Sequence, residues 1–210
     1  MTNLARSERL ALCQTLEQAG PDAPTLCEGW TARDLAAHLV TRERRPDAQI
    51  AMLVPPLAEH AARVQAGLAA VAWTDLVRRV HDGPPVWHPT RLPLLDAAVN
   101  TAEFWVHHED VRRAQPGWKP RPSPLADQRQ LWHACGTVAR LALRSSPVGV
   151  VLTAPDFGRK PVHRGEPAVE VVGPPGELLL FALGRRDVAE VRLHGDDDAV
   201  AALQRSSTAI

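Results

Sequence analysis

The chain has 210 residues, of which 45% are hydrophobic, and its 24 basic and 24 acidic side chains cancel to a formal net charge of zero. That length suits one large domain, or one domain with a smaller appendage, and it can bury a core without staples. The balanced charge and the lack of a basic block argue against a nucleic-acid or membrane-surface partner.

Three cysteines, Cys13, Cys27 and Cys135, are odd in number and widely spaced, so they form neither a disulfide framework nor a Cys-x-x-Cys zinc pattern. The opening stretch "MTNLARSERLALCQTLEQAG" is charged and amphipathic and has no apolar signal core. The longest apolar run, residues 178–183, is far too short to span a bilayer. The expectation is a soluble, reduced, cytoplasmic protein, monomer or homodimer.

In chain order, Leu4, Leu10, Leu12 and Leu16 repeat at helical spacing up to Gly20. "PDAPTLCEGW" is a connector. "TARDLAAHLVTRERRP" predicts a second helix, capped by Thr31 with Asp34 in a capping-box position and ended by Pro46. Residues 57–68 predict a third, Ala-rich helix. "WTDLVRRVHDGPP" predicts a short one, capped by Thr74 and stopped by Gly83. The longest helical pattern runs from about Arg91 to Gln115, and another helix follows with Ser123 as cap and Pro124 at its first position. After Pro147 the texture changes. "VGVVLTAP", "PAVEVVG" and "VAEVRLHG" are short β-type runs, with "PPGELLLFALGRR" and "DDDAVAALQRS" helical. The division expected is a helical bundle over 1–146 and a small α+β unit over 147–210.

On the longest helix, Asp96, Asn100, Glu103, His107 and Asp110 follow one another at steps of four, three, four and three, which makes one polar stripe. Either it is the solvent side, or it faces something inside the protein. Ala97, Ala98, Val99, Ala102, Phe104, Trp105, Val106 and Val111 cover most of the remaining circumference, and a helix apolar nearly all round is normally buried. Buried ionisable groups need a partner or a metal. Glu103 and His107 suit one metal, and His38, in mid-helix among apolar neighbours, is the candidate third ligand. Two imidazoles and one carboxylate leave an open position of the catalytic zinc type.

"EGWTARDLAAHLV" followed by "AEFWVHHEDVRRA" resembles the DinB-like superfamily, and more closely the mycothiol-dependent maleylpyruvate isomerase family of actinobacteria. The resemblance covers residues 5 to 145. It implies a mainly α fold, an antiparallel four-helix bundle with a small C-terminal α+β domain, and a divalent metal, usually zinc, on His38, Glu103 and His107. It also implies mycothiol as co-substrate and a small-molecule substrate for isomerisation or S-transfer. The sequence departs from the pattern in the acidic and histidine neighbours His108, Glu109 and Asp110.

Asp110 lies three residues past His107 and is a candidate catalytic residue that orients the imidazole; a salt bridge to Arg113 or Arg42 is the alternative. Arg42, a second catalytic candidate, and Arg45 follow His38 by four and seven residues. Both are candidates for holding a substrate carboxylate or the anionic end of a thiol cofactor. The competing role is that of cations at a helix C-terminus. His108, about 100° around the helix, reads as packing or support. Cys27, in the connector before the second helix, could approach the site but reads first as structural, and Cys13 and Cys135 read as core. The function expected is a metal-dependent, thiol-using enzyme. A zinc hydrolase and a non-enzymatic metal- or ligand-binding module are the alternatives.

Overall fold

A computed structural model describes residues 3–208, apart from the side chains at 49, 50, 52, 53, 55, 93, 94 and 98. The chain groups into two compact units that divide between Pro120 and Arg121. The first unit holds α1 (Leu4–Ala19), α2 (Ala32–Arg44), α3 (Pro46–Leu53), α4 (Ala58–Ala69), α5 (Trp73–Asp82) and α6 (Pro93–Arg113). The second holds α7 (Leu125–Ala142), β1 (Gly149–Ala154), β2 (Gly158–His163), β3 (Ala168–Val172), α8 (Pro175–Ala182), β4 (Arg192–His194) and α9 (Asp197–Arg205). The protein is mainly α with one small sheet. Among the described residues no helix is long and apolar enough to cross a membrane.

In the first unit, α1 packs along α6 and α5, while α2 packs against α4, α5 and α3. Asn3 caps α1 by accepting the Arg6 N–H, and Gly20 closes it at φ +84°, a conformation that costs glycine little. The capping box of α2 forms as its sequence predicts: Thr31 and Asp34 satisfy each other's backbone N–H groups. Leu12, Leu16, Leu35, Leu39, Leu76 and Phe104 share one buried cluster, which joins α1, α2, α5 and α6. Each such side chain contributes about 1.5–3 kcal/mol by leaving water. His38 sits beside Leu39 on the flank of this core, so core packing sets where its ring points.

Local details depart from the sequence reading. Pro46 does end α2, but it also starts α3 as its first residue, where the missing N–H costs nothing. α5 is capped at Ala72, with Thr74 inside the helix, and Pro124 rather than Ser123 is the cap of α7. Leu95 and Val99, in the N-terminal half of α6, are exposed, while among the described residues Phe104, Trp105, Val106 and Val111 are buried.

The sheet of the second unit has the order β2-β1-β3-β4, with β1 and β3 parallel and the other neighbours antiparallel. β2 has no counterpart in the sequence reading, because "GRKPVH" is charged and carries Pro161. It lies at the edge of the sheet, where proline is tolerated, and its register with β1 shifts beside Pro161. The change of texture near residue 146 marks the first strand rather than the contact boundary. α7 packs against α8 and β2, so the compact second unit begins before α7.

Candidate metal centre

The polar stripe of α6 is a continuous run of side-chain contacts. Asp96 accepts from Asn3 Nδ2 at 3.0 Å and from Asn100 Nδ2 at 2.8 Å. Asn100, fully buried, accepts from Arg42 Nη1 at 2.5 Å. Arg42 Nε stands 3.4 Å from Glu103 Oε1. His107 Nδ1 donates to Asp110 Oδ2 at 2.9 Å, and Asp110 is fully buried.

Glu103 Oε1 is the meeting point. His38 Nε2 lies 3.5 Å from it and His107 Nε2 3.3 Å. His38 comes from α2 and the other two from α6, and the three ligand atoms all lie within 4.8 Å of one another. The two nitrogen–oxygen separations exceed the usual hydrogen-bond range of about 2.7–3.2 Å. They match the edge of a tetrahedron with bonds of ~2.0–2.1 Å, which is about 3.3–3.4 Å. The donor types and spacing therefore fit a divalent cation. His107 adds the bracing that metal-bound imidazoles have, with its other ring nitrogen held by a carboxylate. The buried Nδ1 of His38 has no hydrogen-bond partner. That ring is seated by packing instead, 5.1 Å from the Trp30 ring and 5.4 Å from that of His107.

The electrostatics follow from this crowding. Burial by itself would raise the Glu103 pKa. The Arg42 guanidinium and the nearby His107 and His38 nitrogens outweigh it and hold the carboxyl well below its ordinary range. Burial would likewise push the His107 pKa down. Its contacts with Asp110, Cys27 and Glu103 outweigh that and raise it well above the usual imidazole value.

His38, Glu103, His107, Arg42 and Asp110 are thus brought together. Arg45 is not part of this cluster. Its guanidinium is half exposed and bonds Asp47 at 2.9 and 2.7 Å, and Asp47 also takes His60 at 2.8 Å. The short-range pull of Asp47, two residues on, decides its direction. His108 turns to α1, with Nδ1 on Glu8 and Nε2 on Thr15, both at 2.9 Å, as its rotation from His107 requires. Arg113 Nε binds Glu109 at 2.6 Å. Cys13 and Cys135 are buried, and burial pushes both thiols up to about 12.

Cys27 lies against the cluster. Its Sγ is 3.2 Å from Asp110 Oδ2. The only local signal for this was its place in the connector just ahead of the helix that carries His38.

No protein-family model matches the sequence, and no curated protein matches it. The fold, however, is shared with a solved enzyme. A crystal structure of the mycothiol-dependent maleylpyruvate isomerase superposes with a TM-score of 0.61 at 17% identity, covering 90% of this chain and 90% of that one. The structure of a histidine-to-alanine variant of that enzyme matches to the same extent. The likeness establishes the fold, and the chemistry has to be argued from the side chains.

Proposed function

We propose that the protein is a metal-dependent, thiol-using enzyme that isomerises a small electrophilic substrate or transfers a thiol sulfur to it. The observation that carries this reading is the convergence of His38 Nε2, Glu103 Oε1 and His107 Nε2 within 4.8 Å. The solved enzyme of the same fold is mycothiol-dependent, which makes mycothiol the thiol to try first. We read the helices of the first unit as a DinB-like antiparallel four-helix bundle holding zinc or another divalent cation on these three residues. When bound, such a cation supplies a Lewis acid that favours the thiolate form of a thiol in its open position.

The chain's own residues supply the rest. Asp110 keeps the proton of His107 on Nδ1, which leaves the Nε2 lone pair for the cation. Asn100 holds Arg42, and the free edge of that guanidinium is the natural partner of a substrate carboxylate. Addition of the thiol sulfur to an electrophilic carbon, followed by its departure, gives isomerisation; its retention gives S-transfer. The workplace expected is the cytoplasm, with a monomer or homodimer as the working form.

Metal analysis of protein purified without added metal, followed by titration with mycothiol, tests the reading. The expected result is one divalent cation per chain, lost in His38→Ala, and a cobalt-substituted spectrum that changes when mycothiol is added. A cation retained in full by His38→Ala would overturn the ligand set. A spectrum indifferent to mycothiol would overturn the thiol chemistry and favour the hydrolase alternative.

A further inference from the structure

The connector between α1 and α2 is bonded to α6 at Asp110. Leu26 N–H donates to the Asp110 carbonyl at 3.0 Å, and Cys27 Sγ lies 3.2 Å from the Asp110 carboxylate. Within the connector, Thr25 Oγ1 accepts the Cys27 N–H at 3.2 Å and donates to the Trp30 carbonyl at 2.8 Å. Trp30 N–H in turn donates to the Cys27 carbonyl at 3.0 Å. The thiol is therefore held in place by its own turn before it reaches Asp110.

Asp110 Oδ2 is the oxygen that also takes His107 Nδ1. An ionised carboxylate only accepts, so both the thiol and the imidazole nitrogen are donors to it. The carboxylate is fully buried, and a buried acceptor left short of donors costs about 1–3 kcal/mol. The thiol and the imidazole meet on the same oxygen, Oδ2, with the backbone tether behind them, so the thiol helps to hold the rotamer of Asp110. Through the Asp110–His107 bond it helps to set the plane of the His107 ring and the direction of Nε2.

We propose that Cys27 is a positioning residue: through Asp110 it locks the orientation of His107, and so tunes the affinity of the His38–Glu103–His107 set for its cation. This rests on the metal reading above. The role asks only for a donor at this place, so it predicts that serine replaces cysteine and alanine does not. The backbone tether from Leu26 remains in both variants, which keeps the connector seated.

The test uses the full chain, with zinc and cobalt as probes. Cys27→Ala should bind zinc about 10-fold more weakly than wild type, the usual lower effect of removing a group that orients a ligand. Cys27→Ser should stay within about threefold. In an Asp110→Asn background, Cys27→Ala should cost clearly less than in wild type, because most of its effect runs through the carboxylate. Metal-free protein provides a readout that does not need the cation. Wild type and Cys27→Ser should show a slowly exchanging His107 Nδ1–H resonance, and Cys27→Ala should lose it.

Three results would overturn the proposal. The first is Cys27→Ala with zinc affinity and Nδ1–H resonance both unchanged. The second is an equal cost of Cys27→Ala with and without Asp110. The third is a sulfur-to-cobalt charge-transfer band in wild-type protein free of added thiol and absent from Cys27→Ala, which would make Cys27 a ligand. A wild-type chain that binds no cation would sink the metal reading alone, and the Nδ1–H resonance would still decide the role of Cys27.

Discussion

Glu43 and Glu103 are both carboxylates facing an arginine inside the helical unit, and they are built differently. Glu43 meets Arg9 through both oxygens, Nη1 to Oε2 at 2.7 Å and Nη2 to Oε1, with 3% and 6% of the two side chains exposed. Arg9 also donates to the Val80 carbonyl and lies over the Phe104 ring. That is a closed fork in which each charge has its counterpart. Glu103 is 23% exposed and draws His38, Arg42 and His107 onto one oxygen at 3.3–3.5 Å. The first arrangement is complete as it stands. The second is a set of nitrogen and oxygen donors spaced for something between them, open enough for it to enter.

The contrast predicts opposite consequences for the same chemical change. Glu43→Gln should cost about 3–5 kcal/mol of folding stability in urea unfolding, since it leaves the Arg9 charge buried without its carboxylate. Its effect on metal binding should be no larger than the loss of folded protein explains. Glu103→Gln should do the reverse. The metal-free protein should lose less stability than in Glu43→Gln, because this position is partly open. Zinc affinity should fall about 100-fold, or ~2.7 kcal/mol, in competition with a chelator. A Glu103→Gln variant that keeps its metal, or one that unfolds as readily as the Glu43→Gln variant, would erase the distinction.

The pH dependence of the metal-free protein sharpens it. His107 has a folded pKa raised above its ordinary 6.5, so its stabilising contribution is complete below 6.5 and is lost as pH rises through the folded value. Glu103 has a folded pKa lowered from 4.5, so its contribution is complete above 4.5 and is lost as pH falls through the folded value. Thermal unfolding of metal-free protein should therefore show these two contributions together between 4.5 and 6.5 and a decline on either side. Glu103→Gln should flatten that profile, whereas a variant remote from the cluster should keep it. The smallest effect expected is that of Arg45→Gln. With its guanidinium held by Asp47 at the surface, zinc and thiol titrations should be indistinguishable from wild type.

Much of this site is legible along one helix. Glu103, His107 and Asp110 share a face because a helix turns once every 3.6 residues, and His108 leaves it for the same reason. The α2 cap was legible because Thr31 and Asp34 satisfy each other locally. Arg42 and Arg45 show where such reasoning stops. They follow His38 by four and seven residues, yet Arg42 is captured by Asn100 and Glu103 from another helix, and Arg45, just past the end of α2, by Asp47 two residues away. Periodicity gives the face of a side chain and says nothing of which carboxylate reaches it first. β2 was hidden for a related reason, since its charged, proline-bearing residues become a strand only because β1 offers an edge to pair with.

What the sequence by itself determined is local: the helical periods, their caps and breaks, and the stripe of α6. These depend on backbone geometry and on partners within about one helical turn. What only the tertiary structure decided is which stripe meets which. It brought His38 from α2 to Glu103, set Cys27 on the Asp110 oxygen that holds His107, and kept Arg45 away. Those pairings join residues 65 to 83 positions apart, and they come from burial of the shared core, a property of the packed chain that no local pattern contains.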